Sequence, residues 1–180
     1  MIEEPNEIID SVLKVYEYKK KGYKTISGSN NTFLYVKDVD KYYLEKQNKQ
    51  NSQNPSIAID CAWIYAYRKD DKYPKNANGG KWLLFEDISR IDDLWKKIKK
   101  ATEDGLLGGS SKVATAISNS NVKVICVYTY DWTDEKDVMR IRSELKRLGI
   151  EKKIPYKSDE DTRQGKYTVS GDTKISKYFC

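Results

Sequence analysis

The feature that most constrains this chain is a hydrophobic pattern that switches repeatedly between the two-residue period of strands and the longer period of helices. After residue 56, the successive segments predict the order strand, strand, helix, strand, strand, helix, strand, strand. This order predicts an α+β fold in which an antiparallel sheet carries helices on one face. The predicted strands are 57–67, 81–85, 112–117, 122–130, 153–157 and 173–179, and the predicted helices cover 91–98 and 134–148.

The longest alternating strand, 122–130, also predicts where a binding surface begins. Its alternate residues, from Val124 through Tyr128 to Tyr130, share one face, and polarity rises from Tyr128 onward. A face that is buried throughout would stay apolar to the end of the strand. We therefore expect this face to pass from core into a cleft at Tyr128, with Lys157 on a neighbouring strand close to it.

The first 56 residues carry helical and polar patterns instead of the alternating one. They predict a helix that begins near Ile8 and stops at Gly22, a short strand at 32–36, a helix capped by Asp38, and an exposed polar loop at 46–56. No internal repeat or linker demands a second domain. The 180 residues are therefore predicted to form one domain, with 1–56 as N-terminal helices and loop and 57–180 as the core.

Composition excludes whole classes of chemistry. The chain has 33 Lys+Arg against 27 Asp+Glu, a net charge of +6, and no histidine. Without histidine, Ser-His-Asp and Cys-His hydrolysis and His-ligated zinc are excluded. The three cysteines, at 61, 126 and 180, form no close pairs, so the sequence predicts free thiols, no metal site and no cofactor.

The sequence also predicts a soluble cytoplasmic protein with no membrane partner. No apolar run approaches the ~20 residues that a membrane-spanning helix needs. No charged segment followed by an apolar segment opens the chain, as a secretory signal would.

Long sequence motifs between residues 79 and 167 resemble those of the Bles family of basophilic-leukaemia-expressed proteins. The matching motifs are GGKWLLF at 79–85, GLLGGSSKVATA at 105–116, VKVICVYTYDWTDEKDVMRIRSELKRLGI at 122–150 and IPYKSDEDTRQGKY at 154–167. The resemblance is close over this stretch and specific in its motifs.

The same stretch is similar, in the order of its parts, to the eukaryotic cap-binding translation initiation factor of the 4E type. In that family, a Gly-Gly-basic-Trp-Leu strand leads into a helix that holds a tryptophan, here Trp95. A hairpin and a strand that ends in an aromatic-Thr segment follow, here at Tyr128, and then a helix closed by Leu-Gly. The resemblance implies a curved antiparallel sheet with helices on its convex back and a ligand cleft on its concave front.

Seven residues are candidate ligand contacts. Aromatic rings of Tyr128, Trp132 and Tyr73 would stack on a base, where each contact is worth ~1–3 kcal/mol. Lys112 and Lys157 would contact phosphate, and the Asp131 carboxylate would hydrogen-bond to the edge of the base. The candidates are Tyr73, Lys112, Tyr128, Asp131, Trp132, Tyr156 and Lys157.

Three functions follow from these residues and resemblances, and the sequence favours the first. The first is a binding module for a nucleotide, an RNA end or another phosphorylated ligand. The second, implied by the Bles resemblance, is a phosphothreonine-lyase-like enzyme in which Lys157 or Lys112 acts as base. The third is a protein-interaction module that uses a basic helix face (Lys97, Lys99, Lys100) or the polar N-terminal region.

Overall fold

The structure is a computed structural model that describes residues 18–19, 21–27, 33–70, 72–74, 78–165 and 176–180. These residues fall into two compact units that divide the chain into Met1–Gln50 and Asn51–Cys180. That boundary lies close to the predicted junction at 56–57. The prediction of one domain stays a prediction. Most of the predicted first helix and the start of the predicted last strand lie outside the described residues.

The first unit contains a two-stranded antiparallel sheet and most of one helix. Strand β1 (Lys24–Ser27) pairs with β2 (Phe33–Val36), and helix α1 (Val39–Asn51) follows. The Asp38 carboxylate accepts the Lys41 backbone N–H at 2.9 Å, as predicted for a helix cap. The predicted loop at 46–56 is wrong in its first half, because α1 continues to Asn51. Lys and Gln are good helix formers, so a polar low-complexity run does not by itself end a helix.

The second unit contains a six-stranded antiparallel sheet, which confirms the predicted α+β class. The strand order is β3-β5-β6-β4-β7-β8, and every neighbouring pair is antiparallel. The central pair, β4 and β6, runs in register from Gly80 opposite Thr129 to Asp87 opposite Val122. The strands are β3 (Trp63–Tyr67), β4 (Gly80–Asp87), β5 (Ser110–Ala114), β6 (Val122–Thr129), β7 (Pro155–Ser158) and β8 (Tyr178–Phe179).

Two long helices pack on one face of this sheet. Helix α2 (Ile88–Glu103) begins after Asp87. Helix α3 (Glu135–Arg147) begins after Asp134, whose carboxylate caps it by accepting the Asp137 backbone N–H. Gly149, with a φ of 95°, stands at the predicted stop after α3. The short helix α4 (Asp159–Arg163) follows β7.

The core lies between this face of the sheet and helices α2 and α3. Residues that alternate along the strands, Ile64, Trp82, Leu84 and Ile125, have no exposed surface. They form one cluster with the apolar stripes of both helices. The Trp82 indole N–H also donates to the Val138 carbonyl of α3 at 3.1 Å, and this bond ties sheet and helix together. Trp82 therefore belongs to the core.

The predicted strand at 57–67 is wrong over its first half. Only Trp63–Tyr67 is extended in the sheet, and Ile57 and Ile59 are 71% and 75% exposed. The Ile57 backbone N–H donates to Asn54 in a turn at 3.2 Å, and the Ser56 backbone N–H donates to Asp92 of α2 at 2.9 Å. The paired register with β5 ends at Trp63 opposite Ala114, and one further backbone bond joins the Thr115 N–H to the Ala62 carbonyl at 3.2 Å, so residues 57–61 lie outside the sheet.

Candidate functional site

The sheet face opposite α2 and α3 carries three lysines among tyrosines. We call it the lysine face, and its defining residues are Tyr65, Lys81, Lys112, Tyr128 and Lys157. Residues that pair directly across antiparallel strands point to the same side of the sheet. The register places Tyr65 opposite Lys112, Tyr128 opposite Lys81, and Lys81 opposite Lys157. Five strands therefore contribute one continuous cluster.

Tyr128 lies between two lysines of this face. The ammonium groups of Lys81 and Lys112 are 5.4 and 5.8 Å from the centre of its ring. At such distances a cation is attracted to the ring by ~0.5–2 kcal/mol, and more strongly where water is excluded. Burial raises the pKa of the Tyr128 hydroxyl well above its ordinary value. The hydroxyl therefore stays neutral and protonated at physiological pH.

Lys112 is the most available cation of the lysine face. Its ammonium lies 4.2 Å from the Trp63 ring centre, in addition to its contact with Tyr128. Among the described residues it has no ion pair or hydrogen bond with a carboxylate. Aromatic rings hold this charge in place but do not neutralise it. Lys112 can therefore still accept a full ion pair from an anionic ligand.

Lys81 is held more tightly. Its Nζ donates to Asp159 Oδ1 at 2.6 Å and to Thr162 Oγ1 at 3.0 Å, both from α4. The Asp159 backbone N–H donates to the Gly79 carbonyl at 2.8 Å, so α4 is anchored at the start of β4. A Cβ at Gly79 would lie 2.7 Å from Asp159 Oδ2, so a larger residue at this position would make the Asp159 carboxylate shift.

The centre of the lysine face is a buried thiol. Cys126 pairs with Lys112 and with Leu83 across the sheet. Burial raises the pKa of this thiol above its ordinary value, although the nearby charges of Lys112 and Lys81 oppose that shift. The thiol is therefore protonated at neutral pH, and the chemistry of the face is set by its lysines.

Two residues of the cluster were outside the predicted site. Tyr65 stacks on Tyr67 with ring centres 6.0 Å apart and planes at 7°, and Tyr67 is 48% exposed. Lys81 was missed as well. It alternates with Trp82 in the strand, so the period-two pattern placed it opposite the core and could have identified it.

The predicted passage from core to cleft along β6 needs correction. Val124, Cys126 and Tyr128 lie on the lysine face throughout, and the residues of β6 packed against the helices are Ile125 and Val127. Tyr128 is half-buried on this face and is not sealed under the helices. Lys157 lies in the same cross-strand row, with Lys81 between them.

Tyr156 lies outside the lysine face, on the opposite side of the sheet. It has no exposed surface, and its ring packs against Trp82 and Tyr178 with centres 5.1 and 5.4 Å away. Its hydroxyl shares a hydrogen bond of 2.5 Å with the Thr129 hydroxyl. Because alternate residues of a strand face opposite sides, Tyr156 and Lys157 cannot both contact one ligand on the lysine face.

Tyr73, Asp131 and Trp132 gather where β6 leads into α3. The Tyr73 hydroxyl donates to Asp137 at 2.5 Å, and burial raises its pKa above the ordinary value. The Asp131 carboxylate accepts the backbone N–H and hydroxyl of Thr133 at 2.9 and 2.7 Å. Trp132 lines a cavity of about 210 Å³ at the end of the sheet.

The predicted site residues therefore occupy three places. Lys112, Tyr128 and Lys157 meet on the lysine face. The three residues of the β6–α3 junction form a second group, and Tyr156 belongs to the core. Among the described residues, no group of three or more His, Cys, Asp or Glu side chains could hold a metal ion. In the same part of the chain, no helix combines the length and apolar character needed to cross a bilayer.

Solved structures identify the class of fold. The Schistosome eIF4E complexed with m7GpppG and 4E-BP has 19% sequence identity, covers 83% of each chain and superposes with a TM-score of 0.54. Ascaris suum eIF4E-3 in complex with the m7G cap has 15% identity, covers 87% of this chain and 91% of that chain, and gives a TM-score of 0.51. At these identities the likeness shows the fold alone, which is the 4E-like fold that the sequence predicted.

The sequence itself identifies the family. The family profile described as basophilic leukemia-expressed protein Bles03 matches residues 73–163, which is half of the chain. The chain belongs to this family. The matched segment contains β4 to β7, α4, and every defining residue of the lysine face except Tyr65.

Proposed function

We propose that the protein binds a nucleotide, an RNA end or another phosphorylated ligand on the lysine face. The observation that carries this proposal is the position of the Lys81 and Lys112 ammonium groups 5.4 and 5.8 Å from the Tyr128 ring centre, with Lys157 paired to Lys81 across the sheet. The Asp159 carboxylate pairs with Lys81, whereas Lys112 has no carboxylate partner among the described residues. Clustered ammonium groups beside an aromatic ring suit a ligand with phosphate and a planar base.

The lysines would have different roles in binding. Lys112, which contacts the rings of Trp63 and Tyr128, would form a charge-assisted hydrogen bond with a ligand phosphate. Lys157, one strand beyond Lys81, would extend the same positive row. Tyr128 and the stacked Tyr65–Tyr67 pair would provide the planar contact for a base.

The junction residues are proposed as outer contacts. Trp132 lines its cavity together with Asn78 and Gly79, which directly precede β4 and lie close to Lys81 along the chain. A ligand that extends past the first residue of β4 would reach Trp132 and Asp131. Tyr73 is left out because its hydroxyl and ring are held by Asp137 and Tyr130. Tyr156 is left out because it is sealed in the core.

Isothermal titration calorimetry with a panel of nucleotides and short 5′-phosphorylated RNAs tests the proposal. We expect saturable binding by the wild type and a loss of about 1.5–3 kcal/mol in Lys112→Met, because one charge-assisted hydrogen bond is removed. Lys157→Ala should weaken binding by a similar amount. The matched control is Lys97→Met, which removes an exposed charge from α2, away from the face. Failure of every panel member to bind the wild type would refute the proposal.

A further inference from the structure

Apolar side chains continue the lysine face along the two central strands, β4 and β6. Every second residue of a strand lies on the same side, so the alternate residues after Lys81 in β4 and before Tyr128 in β6 belong to this face. We call the apolar ones the apolar strip, and its members are Leu83, Phe85, Val122 and Val124. The strip ends at Asp87, whose carboxylate accepts the Ser89 backbone N–H and hydroxyl at the start of α2.

The apolar strip is open to solvent. Phe85 and Val122 are 47% and 51% exposed, and Leu83 and Val124 are half-buried. The uncovered face of an antiparallel sheet is normally polar. Single exposed apolar residues are common on protein surfaces, whereas a group of them that adjoins across paired strands marks a binding surface. The strip is therefore a candidate contact for an apolar part of a ligand.

Three kinds of side chain follow one another along this face of β6. Tyr128 supplies an aromatic ring, Cys126 is paired with Lys112 of β5, and Val124 and Val122 belong to the apolar strip. Residues 128 to 122 of one strand span roughly 20 Å. Lys112 has no carboxylate partner among the described residues. The order of ring, cation and apolar surface suits an elongated ligand with a base, a phosphate and an apolar chain in the same order.

We propose that the lysine face binds a nucleotide whose phosphate is esterified to an apolar chain, and that this chain lies along the apolar strip. This inference rests on the proposed function, because it uses the same contacts for base and phosphate. The base would contact Tyr128, the phosphate would pair with Lys112, and the chain would extend over Val124 and Phe85. A phosphate diester keeps a single negative charge, which one ion pair with Lys112 neutralises.

Isothermal titration calorimetry with AMP and with its methyl, butyl and octyl phosphate esters tests the inference. The three esters share the base and the charge and differ only in the length of the chain. A methylene group that is fully removed from water contributes about fourfold in affinity. Because the strip is an open surface, we expect a smaller gain per methylene, which amounts to about tenfold or more between the methyl and octyl esters.

Two variants separate the chain from the phosphate. Phe85→Ser should remove most of the gain from the octyl chain and keep the affinity for the methyl ester within about twofold. Lys112→Gln should weaken all three esters by about tenfold or more, because the ion pair is lost. The matched control is Leu106→Ser, which changes a leucine that is 49% exposed in the turn between α2 and β5. It should change neither affinity. Val124→Thr should reproduce the effect of Phe85→Ser if that variant does not fold.

Different outcomes overturn different claims. Equal affinities for the methyl and octyl esters would overturn the inference and leave the proposed function standing. An equal loss of octyl affinity in Leu106→Ser would also overturn it, because the chain would then bind elsewhere. If a second copy of the chain covers the strip, sedimentation velocity will show dimers that Phe85→Ser dissociates, and the inference alone is wrong. If neither AMP nor any ester binds, the proposed function fails with the inference.

Discussion

The two faces of the six-stranded sheet are built from the same strands but have opposite chemistry. In β4, Trp82 and Leu84 are sealed against α2 and α3, whereas Lys81 and Leu83 point the other way. An antiparallel sheet needs only one face packed in a core, so the other is free to carry polar residues. Packing against the helices therefore restricts the residue types on one face of the sheet, whereas the residue types on the other face can be selected for function.

The lysine face differs from an ordinary solvated sheet surface because its charges are partly buried. Lys81 and Lys157 are 8% and 4% exposed, although Tyr67 on the edge strand is nearly half exposed. Burying a charge costs free energy unless it is paired. The cost of burying Lys81 is offset by its hydrogen bonds to the Asp159 carboxylate and the Thr162 hydroxyl and by its contact with the Tyr128 ring. Charges kept at such a cost support a role in binding.

We expect the largest difference in stability between substitutions of two adjacent leucines whose side chains lie on opposite sides of the sheet. Leu84→Ala removes a fully buried side chain and should destabilise the protein by about 2–5 kcal/mol, through lost burial and the cavity left behind. Leu83→Ala, on the lysine face and only half-buried, should cost about 1 kcal/mol. Urea denaturation of the two variants measures both. Equal costs would mean that the lysine face is a second core.

We expect a smaller difference in stability between substitutions of two lysines on neighbouring strands. Lys123, on the core side and 1% exposed, donates to the Ser118 carbonyl at 2.6 Å and to its hydroxyl at 2.9 Å. Lys123→Met should cost about 1.5–3 kcal/mol of stability, since charged hydrogen bonds are lost, with no change in ligand affinity. Lys112→Met, measured by the same denaturation, should cost under about 1 kcal/mol.

The opposite outcome would break the distinction between these lysines. If Lys112→Met unfolds the protein as readily as Lys123→Met, then Lys112 is a structural residue. Its effect on ligand titrations would then be indirect. If Lys123→Met weakens ligand binding without loss of stability, the binding surface extends to the hairpin at Ser118.

The smallest effect should come from two tyrosine hydroxyls. Tyr156→Phe leaves the buried Thr129 hydroxyl without its hydrogen bond and should cost about 1–2 kcal/mol. Tyr128→Phe should change stability by less than about 0.5 kcal/mol, because its hydroxyl bonds to none of the described residues. Thermal and urea unfolding of both variants provide the check. A larger cost for Tyr128→Phe would indicate that its hydroxyl is part of the packing.

The local sequence pattern was sufficient to predict most of the strands and helices of the second unit. The Gly79–Phe85 motif predicted β4 to within a few residues, and Asp134 and Gly149 marked the two ends of α3. Caps, stops and alternation depend on neighbours within about one turn or two residues, so they are readable along the chain. The prediction failed at 57–62, where alternation was present but the paired register with β5 ends at Trp63.

The candidate site was predictable only in part. Lys112, Tyr128 and Lys157 were predicted from their residue types and the resemblance. Tyr156 was predicted as a site residue together with Lys157, although adjacent residues of a strand face opposite sides. Lys81 was missed because its importance depends on which strands lie on either side of it, and pairing across the sheet is not encoded at short range.

The sequence by itself determined the alternation, the helix ends, the fold class and the family, because these depend on local chemistry and on recognisable motifs. Only the tertiary structure decided which face the helices cover and which charges meet on the other. The pairing of Lys81 with Asp159 joins residues 78 positions apart. Such a contact forms only when β7 lies beside β4 and α4 turns back over the strand end, so the electrostatics of the lysine face result from the whole sheet.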